Sequence, residues 1–264
     1  MAGRDIEQFA GSIGGHIGQS LRDLLSKYTE TERSRSCLYP ETLSEFERHL
    51  EIFRQTANIL LLSQGRQFVL DDKNYPVVSV LIEWLNGWTE LFEEHTEQYF
   101  GKRMDIHQSL VLLGNKGAGK TLLMQTASEF ARVMKLGNNR GFANTSSSEL
   151  LNYYKVNGSL DYYTYNIGKR PYIEGNPYTT HPFSVCLHDL GQESSKEQKH
   201  FGTKIDDVMD DFLMARYELY QNQGLYYHCT TNLKPEQFSE ILSPRVLDRF
   251  RQHNFILLGG NSRR

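Results

Sequence analysis

The stretch Gly114-Asn115-Lys116-Gly117-Ala118-Gly119-Lys120-Thr121 fits the pattern G-x-x-x-x-G-K-[ST], which describes a loop that wraps phosphate groups. The apolar run Leu110-Val111-Leu112-Leu113 directly before it predicts a buried parallel strand, and a helical pattern follows it to about Met134. A loop between a strand and a helix N-terminus brings together free backbone N–H groups and the positive end of the helix dipole. This stretch therefore predicts a binding site for the phosphates of a nucleotide.

The positions of this phosphate loop have separate chemical tasks in that prediction. The glycines let the backbone approach the phosphates, the Lys120 ammonium reaches the β- and γ-phosphates, and the Thr121 hydroxyl coordinates Mg²⁺. ATP and Mg²⁺ are therefore the expected cofactors. The predicted nucleotide-binding residues are Gly114, Asn115, Lys116, Gly117, Ala118, Gly119, Lys120, Thr121 and Leu122.

The composition of the chain limits the classes of function. The 264 residues are 39% hydrophobic, which is enough for one large or two small globular domains. The formal net charge of −3 gives no global field that attracts nucleic acid, so any such contact has to come from a local patch. No C-x-x-C pair, secretion signal or apolar run of membrane-span length occurs. We expect a reduced, cytoplasmic protein with no membrane association.

The residue pattern changes near residue 104. Residues 1–103 are predicted to form a mostly helical module, with one helix to about Gln64 and a helical region from Pro76 to about Phe100. We expect this module to hold a protein partner. In residues 104–264 strands alternate with helices, which predicts an α/β domain with a five-stranded parallel sheet flanked by helices.

Two polar residues follow predicted strands of this sheet. Asp189 comes just after the third strand, where a phosphate loop needs a carboxylate near Mg²⁺. Asn232 follows the fourth strand, on the rim where open α/β sheets bind ligands, and is predicted to position the attacking water or touch the γ-phosphate. The alternative for each is an ordinary turn residue. With the phosphate loop upstream, we predict Asp189 and Asn232 as catalytic residues, with Thr121 and Asp189 as metal ligands.

Further segments follow the phosphate loop in a fixed order. They are His188-Asp189-Leu190-Gly191-Gln192-Glu193, Arg216-Tyr217, Thr230-Thr231-Asn232-Leu233, Arg245-Val246-Leu247-Asp248-Arg249-Phe250-Arg251 and Gly260-Asn261-Ser262-Arg263-Arg264. Together with the loop, this series resembles the DnaC/IstB group of AAA+ ATPases, which are replicative helicase loaders and ATPase helpers of transposases. The resemblance covers about residues 104–264.

The resemblance implies properties that spacing alone does not. It implies a sheet whose fourth strand lies between the first and third, so that Asn232 lies between Lys120 and Asp189, and it implies that no C-terminal lid follows. It also implies an ATPase that works on DNA as a ring or helix of subunits. The expected partners are ATP, single-stranded DNA, further copies of the chain, and a replicative helicase or transposase.

The chain departs from the group at His188. The group usually has two acidic residues where this chain has His188-Asp189, and Asp189 matches the second, water-activating position. His188 matches the first, metal-associated position, and a neutral imidazole is a poor ligand for Mg²⁺. Asp189, assisted by Glu193, is an alternative metal ligand. ATP hydrolysis is therefore expected to be slow.

Three arginines near the C-terminus also match the group. Arg245 and Arg249 lie four residues apart on one predicted helix face, and Arg249 best matches the finger that reaches the nucleotide of a neighbouring subunit. The alternative is a pair of surface salt bridges with Asp248 or Glu240. Arg264 matches a terminal arginine that can touch the nucleotide.

A tyrosine-rich segment separates the second and third strands and carries basic residues. Aromatic rings interleaved with cations suit stacking on single-stranded bases, whereas ordinary packing of a tyrosine-rich loop is the alternative. The residues are Tyr153, Tyr154, Tyr162, Tyr163, Tyr165, Tyr172, Tyr178, Lys155, Lys169 and Arg170.

Two other functions remain open on the sequence. A nucleotide-switched adaptor would bind ATP, assemble and recruit, with little hydrolysis, and His188 favours this alternative. A small-molecule kinase with a phosphate loop is the third hypothesis, and Asn232, Arg245 and Arg249 argue against it.

Overall fold

The computed structural model describes residues 40, 43–136, 140–164, 183–191, 199–200, 203–260 and 262 of the chain. The chain forms two compact units. The helical unit runs to Ile106 and includes Leu122–Gly141, whereas the sheet unit consists of His107–Thr121 and Phe142–Arg264. Most of the helix after the phosphate loop thus groups with the N-terminal helices, which differs from the predicted boundary at residue 103. The glycine-interrupted residues 1–36 and Cys37 lie outside the described residues.

The helical unit is built from helices, several of which are followed by glycines with left-handed backbone. Its described helices are α1 (Leu43–Leu61), α2 (Tyr75–Asn86), α3 (Thr89–Phe100) and most of α4 (Lys120–Val133). The predicted helical region from Pro76 to Phe100 consists of two helices, because Gly87 takes the left-handed φ of 76° and its N–H caps Glu83 and Trp84. No helix in the described parts of the chain is long and apolar enough to cross a bilayer.

The apolar side chains of these helices form the core of the helical unit. Trp84, Trp88, Phe53 and Phe92 are fully buried. His49 is stacked on Trp88 with ring centroids 5.2 Å apart. The core also includes charged groups, since Glu83 of α2 and Glu129 of α4 are buried.

The sheet unit contains the predicted five-stranded parallel sheet. Its strands lie in the order β2-β3-β6-β1-β7, so the fourth predicted strand lies between the first and third. A short antiparallel pair, β4 and β5, lies apart from this sheet and was not predicted. The strands are β1 (Leu110–Gly114), β2 (Ala143–Ser146), β3 (Val185–Leu190), β4 (Lys199–His200), β5 (Thr203–Lys204), β6 (Tyr227–Thr231) and β7 (Asn254–Leu258).

Helices of the sheet unit cover one face of this sheet. They are α5 (Ser147–Asn157), α6 (Ile205–Gln223), α7 (Phe238–Ile241) and α8 (Pro244–Phe250). Ser146 caps the start of α5, since its Oγ accepts the Glu149 N–H at 3.1 Å. Alternate residues of the central strands pack against α6 and α8 in a common core that includes Val111, Leu113, Leu187, Cys229, Phe212 and Phe250. The strands' carboxyl ends form one edge, and the candidate site lies there.

Candidate functional site

The phosphate loop runs from the end of β1 to the start of α4 with a glycine backbone. Gly114, Gly117 and Gly119 have φ angles of 152°, 82° and 102°. L-residues rarely adopt such backbone, so these glycines set the path of the loop. A Cβ on Gly114 would lie 2.5 Å from the Leu258 carbonyl oxygen, so β7 also requires glycine there.

The segment after β7 lies directly on the loop. The Asn115 side chain donates from Nδ2 to the Gly260 carbonyl oxygen at 3.4 Å. A Cβ on Gly117 would lie 3.0 Å from Ser262 Cβ and 3.3 Å from Ser262 Cα. The sequence did not indicate this contact, because glycine and serine carry no pattern that identifies a partner. Arg264, the predicted nucleotide ligand of this segment, lies outside the described residues.

The Lys120 ammonium joins the loop to β6. Its Nζ donates to the carbonyl oxygens of Gly114 at 2.7 Å and Asn115 at 3.0 Å, and to Asn232 Oδ1 at 2.6 Å. These bonds use all three protons of an ammonium group. Burial lowers the pKa of Lys120, and the negative charge of Asp189 opposes that shift. The cation, amide and carboxylate predicted to act together thus lie in one place.

Asn232 and Asp189 reach this edge by different local structures. Asn232 follows β6 directly, and β6 is held to β3 because Thr231 Oγ1 donates to the Leu190 carbonyl oxygen at 2.7 Å. Asp189 is part of β3 rather than after it, at an irregularity in the β3–β6 register between Leu187 and Leu190. The catalytic roles of Asn232 and Asp189 remain predictions.

His188 makes contacts inside the sheet. It is buried, with Nε2 at 3.0 Å from Asn144 Oδ1 in β2 and Nδ1 at 3.4 Å from Thr230 Oγ1 in β6. Burial lowers the pKa of His188 to about 4, so its ring is neutral near pH 7. The ring therefore links three neighbouring strands, a role that its position in the motif series did not indicate.

These contacts determine which groups suit Mg²⁺. Mg²⁺ prefers oxygen ligands, and the Thr121 hydroxyl and Asp189 carboxylate at this edge fit that preference. The His188 ring does not fit it, because nitrogen is a poor donor for this ion and both ring nitrogens already have partners. No cluster of three His, Cys, Asp or Glu side chains that could hold a metal occurs among the residues that the structure describes. Glu193, the alternative ligand, lies outside them.

The two predicted finger arginines of α8 differ in their surroundings. Arg249 Nη1 lies 2.8 Å from Asp248 Oδ2, and its guanidinium lies 5.1 Å from the centre of the Tyr217 ring. Arg245 is exposed. The ion pair of Arg249 is one of the salt bridges that the sequence left as an alternative. Since both its members are partly exposed, it adds at most about 1 kcal/mol to stability.

The described tyrosines of the predicted DNA-binding segment pack on one another. The Tyr153 and Tyr162 rings are 5.8 Å apart, and both lie edge-on to Tyr163. Tyr153, Tyr154 and Tyr162 remain partly exposed, whereas Tyr163 is buried. The predicted residues Tyr165, Lys169, Arg170, Tyr172 and Tyr178 lie outside the described residues.

Arg216 in α6 is a buried residue whose task the sequence did not reveal. Its guanidinium donates to the carbonyl oxygens of Tyr163 at 3.2 Å, Phe183 at 2.6 Å and Tyr226 at 3.4 Å. Burial lowers the pKa of Arg216 to about 10. The available signal was its spacing, since Arg216 falls on the apolar face of α6 where a charge needs a buried partner.

Comparisons with known proteins identify similar folds only. No protein family and no curated protein matches the chain. Similar solved structures include the replication initiator DnaA bound to AMPPCP and single-stranded DNA, at 15% identity and a TM-score of 0.44 over 74% of this chain and 49% of that one. AMPPCP-bound DnaA from Aquifex aeolicus is similar at 16% identity and a TM-score of 0.44, over 74% and 50%.

DnaI is similar at 20% identity and a TM-score of 0.40, over 73% of this chain and 88% of that one. The chain spans about half the length of the DnaA structures that it matches. At these identities the likeness concerns the fold, and the narrower resemblance to the DnaC/IstB group remains a prediction from the motifs.

Proposed function

We propose that the chain binds ATP at its phosphate loop and hydrolyses it slowly while acting on DNA as an oligomer. The contact of Lys120 with Asn232, beside the charge of Asp189, is the observation that supports this proposal most. Phosphoryl transfer to water requires a cation that binds the phosphates, an amide that orients the water and a carboxylate that accepts a proton.

The hydrogen bonds of Lys120 suggest how ATP would be received. All three ammonium protons already have acceptors, so a phosphate oxygen has to replace one of them. Two acceptors are carbonyls of the loop itself, and Asn232 is the side chain among the three. When a phosphate oxygen takes the place of Asn232 Oδ1 at Lys120, the ammonium would neutralise charge on the phosphate. This exchange would also release the Asn232 amide to orient water.

The remaining groups have roles that follow from their chemistry. The Thr121 hydroxyl and Asp189 carboxylate would hold Mg²⁺, which neutralises phosphate charge when bound. Asp189 would accept a proton from the attacking water. Arg249, supported by Arg245, would complete the site of a neighbouring subunit. To reach that site, Arg249 has to leave Asp248, and breaking this partly exposed ion pair costs at most about 1 kcal/mol.

The larger assembly in this proposal comes from the motif resemblance. Residues 104–264 would form the ATPase domain, and residues 1–103 would bind a replicative helicase or a transposase. Single-stranded DNA would contact the tyrosine-rich segment, where Tyr153, Tyr154 and Tyr162 keep part of their rings exposed. The Arg264 terminus would approach the nucleotide.

A nucleotide-switched adaptor is the second candidate. His188 favours it, because the neutral buried ring leaves Asp189 as the one carboxylate in the described part of β3. Such a protein would bind ATP, assemble and recruit a partner, with hydrolysis close to background.

The experiment measures ATP binding by a fluorescent analogue, ATP hydrolysis, and sedimentation, each with and without a DNA strand. Lys120→Ala should lose binding while remaining folded, and the exposed Lys102→Ala is the matched control. Arg249→Ala should bind ATP but lose turnover or assembly, with the exposed Arg251→Ala as its control. A mixture of Lys120→Ala and Arg249→Ala should recover part of the activity, since some interfaces then combine an intact pocket with an intact finger.

The outcomes separate the candidates. Binding and assembly without turnover in the wild-type chain would select the adaptor. Retained ATP affinity in folded Lys120→Ala would refute the binding site. A wild-type chain that stays monomeric with ATP and DNA, and normal turnover by Arg249→Ala, would refute the action as an oligomer.

A further inference from the structure

Asp189 has an unusual backbone. It has a φ of 60°, and among the residues that the structure describes only Lys135 shares a positive φ without being glycine. Left-handed backbone is unfavourable for an L-residue and persists only where surrounding contacts hold it. The irregularity between Leu187 and Leu190 takes Asp189 out of the regular ladder, and its N–H donates to the Thr230 side-chain oxygen at 3.2 Å.

The Thr230 hydroxyl is oriented by His188. We assign the His188 ring proton to Nε2, because Asn144 Oδ1 only accepts hydrogen bonds. His188 Nδ1 is then an acceptor for the Thr230 hydroxyl at 3.4 Å, and the buried Cys186 thiol lies 3.9 Å from the same nitrogen. This arrangement turns the lone pairs of Thr230 Oγ1 toward the Asp189 N–H.

The contacts therefore form one directed chain across three strands. The Asp189 N–H donates to Thr230, Thr230 donates to His188, and His188 donates to Asn144. Thr230 is fully buried, so no water competes for its hydroxyl. Hydrogen bonds that all point in one direction polarise one another and strengthen the chain.

We propose that Thr230 and His188 are positioning residues that hold the Asp189 carboxylate at the edge beside Lys120. The proposal rests on the proposed function, in which Asp189 accepts a proton from water and helps to hold Mg²⁺. A carboxylate with these tasks has to be held within about 0.5 Å of its working position. The bond from its own N–H to a buried and oriented hydroxyl supplies that restraint.

The test uses Thr230→Val, which keeps the shape of the side chain and removes the acceptor for the Asp189 N–H. We expect kcat to fall about tenfold, the equivalent of one hydrogen bond, while the Kd for ATP changes by less than about twofold. The Mg²⁺ concentration that gives half-maximal binding of a fluorescent ATP analogue should rise about threefold or more. Thr230→Ser retains the hydroxyl and should restore both values to near the wild-type ones.

Two further variants separate positioning from folding. Thr56→Val in α1 removes another buried threonine hydroxyl, which bonds the Ile52 carbonyl, and should leave kcat and the Mg²⁺ dependence unchanged. His188→Leu leaves Thr230 in place but removes its acceptor, so we expect a smaller fall in kcat, of a few-fold. Turnover is calculated per mole of bound nucleotide, so that unfolded protein does not count.

The results also distinguish this proposal from the proposed function. If wild type binds and hydrolyses ATP but Thr230→Val matches it in kcat and Mg²⁺ dependence, the positioning role is refuted and the ATPase stands. If wild type binds without hydrolysis, the Mg²⁺ dependence alone decides, and an unchanged value in Thr230→Val overturns the role. If wild type does not bind ATP, both proposals fail. Should Thr230→Val not fold, His188→Leu gives the decision, and wild-type kcat and Mg²⁺ dependence in that variant would overturn the positioning role.

Discussion

The contact between the phosphate loop and the segment after β7 predicts that Gly117 is restricted in two independent ways. The φ of Gly117 is 82°, and an added Cβ would meet Ser262 at 3.0 Å from its Cβ and 3.3 Å from its Cα. Gly117→Ala should therefore cost backbone strain and also displace Ser262. Two other glycines separate these effects. Gly158 has a φ of 66° but nothing within 4 Å of an added Cβ, and Gly141 has neither restriction.

The magnitudes follow from these environments. Left-handed backbone should cost Gly158→Ala about 1–2 kcal/mol of unfolding free energy, whereas Gly141→Ala should be neutral or stabilising by up to about 1 kcal/mol. Gly117→Ala carries the same strain. The Ser262 hydroxyl, which lies closest to the added Cβ, has to turn away, and Ser262 Cβ has to move by about 0.5–1 Å to reach ordinary carbon–carbon separation. Because Ser262 is exposed and can move, the added cost should be only about 0.5–1 kcal/mol.

The assay is urea unfolding of the three single variants, of Ser262→Gly, and of the double variant Gly117→Ala with Ser262→Gly. Removal of the Ser262 side chain should recover the steric part of the Gly117→Ala cost, so the cycle should show a coupling of about 0.5–1 kcal/mol. Binding of a fluorescent ATP analogue is measured on the same proteins. Gly117→Ala should weaken binding about tenfold, and Ser262→Gly should restore part of that loss.

Additive costs, within about 0.3 kcal/mol, would refute the contact between the loop and Ser262. Equal costs for Gly117→Ala and Gly158→Ala would lead to the same conclusion. A Gly117→Ala protein with wild-type ATP affinity would instead refute the assignment of this loop to phosphate.

Two other predictions concern Asn232 and His253. Asn232→Ala removes an acceptor that lies 2.6 Å from Lys120 Nζ. The variant should lower kcat roughly 10- to 100-fold with ATP affinity nearly unchanged. Turnover equal to that of wild type would contradict the proposed role of Asn232 in orienting water. Burial lowers the pKa of His253 from 6.5 to about 4, although the Tyr227 and Phe250 carbonyls near its ring nitrogens oppose that shift. When a histidine has a lower pKa in the folded than in the unfolded protein, the protein keeps its full stability at pH values above the unfolded-state pKa. That stability is lost as the pH falls toward the folded-state pKa. Between pH 7 and pH 5, His253→Phe should therefore lose about 2 kcal/mol less unfolding free energy than wild type, and equal losses would contradict burial of His253.

The sequence determined the parts of this protein that depend on neighbours along the chain. The phosphate loop, β1 before it and α4 after it follow from a run of glycines, an apolar strand and a helical period. Alternation of strands with helices predicted the five-stranded parallel sheet, and its strand order followed from the motif resemblance. The sequence also predicted Asn232 and Asp189 at strand ends, because the polar residues after apolar strands are visible locally.

The local sequence pattern did not determine where a helix or strand ends when the apolar spacing and another local or tertiary influence favoured different ends. Apolar spacing runs on through residues 76–100, but Gly87 adopts left-handed backbone and ends α2 there. Asp189 was predicted just after the third strand, whereas β3 continues to Leu190 because Thr230 and Thr231 bind its last residues. The strand therefore includes His188 and Asp189, and the ring of His188 becomes part of the sheet.

Only the tertiary structure decided which distant groups meet. Lys120 and Asn232 are 112 residues apart in sequence, and His188 and Asn144 are 44 apart. Contacts of this range depend on which strands are neighbours and on the register between them, and no single segment of sequence carries that information. The same reason explains Arg216, whose charge is satisfied by backbone carbonyls from three separate segments. Carbonyl groups belong to every residue, so the sequence can indicate that a buried charge needs partners, while the fold alone selects them.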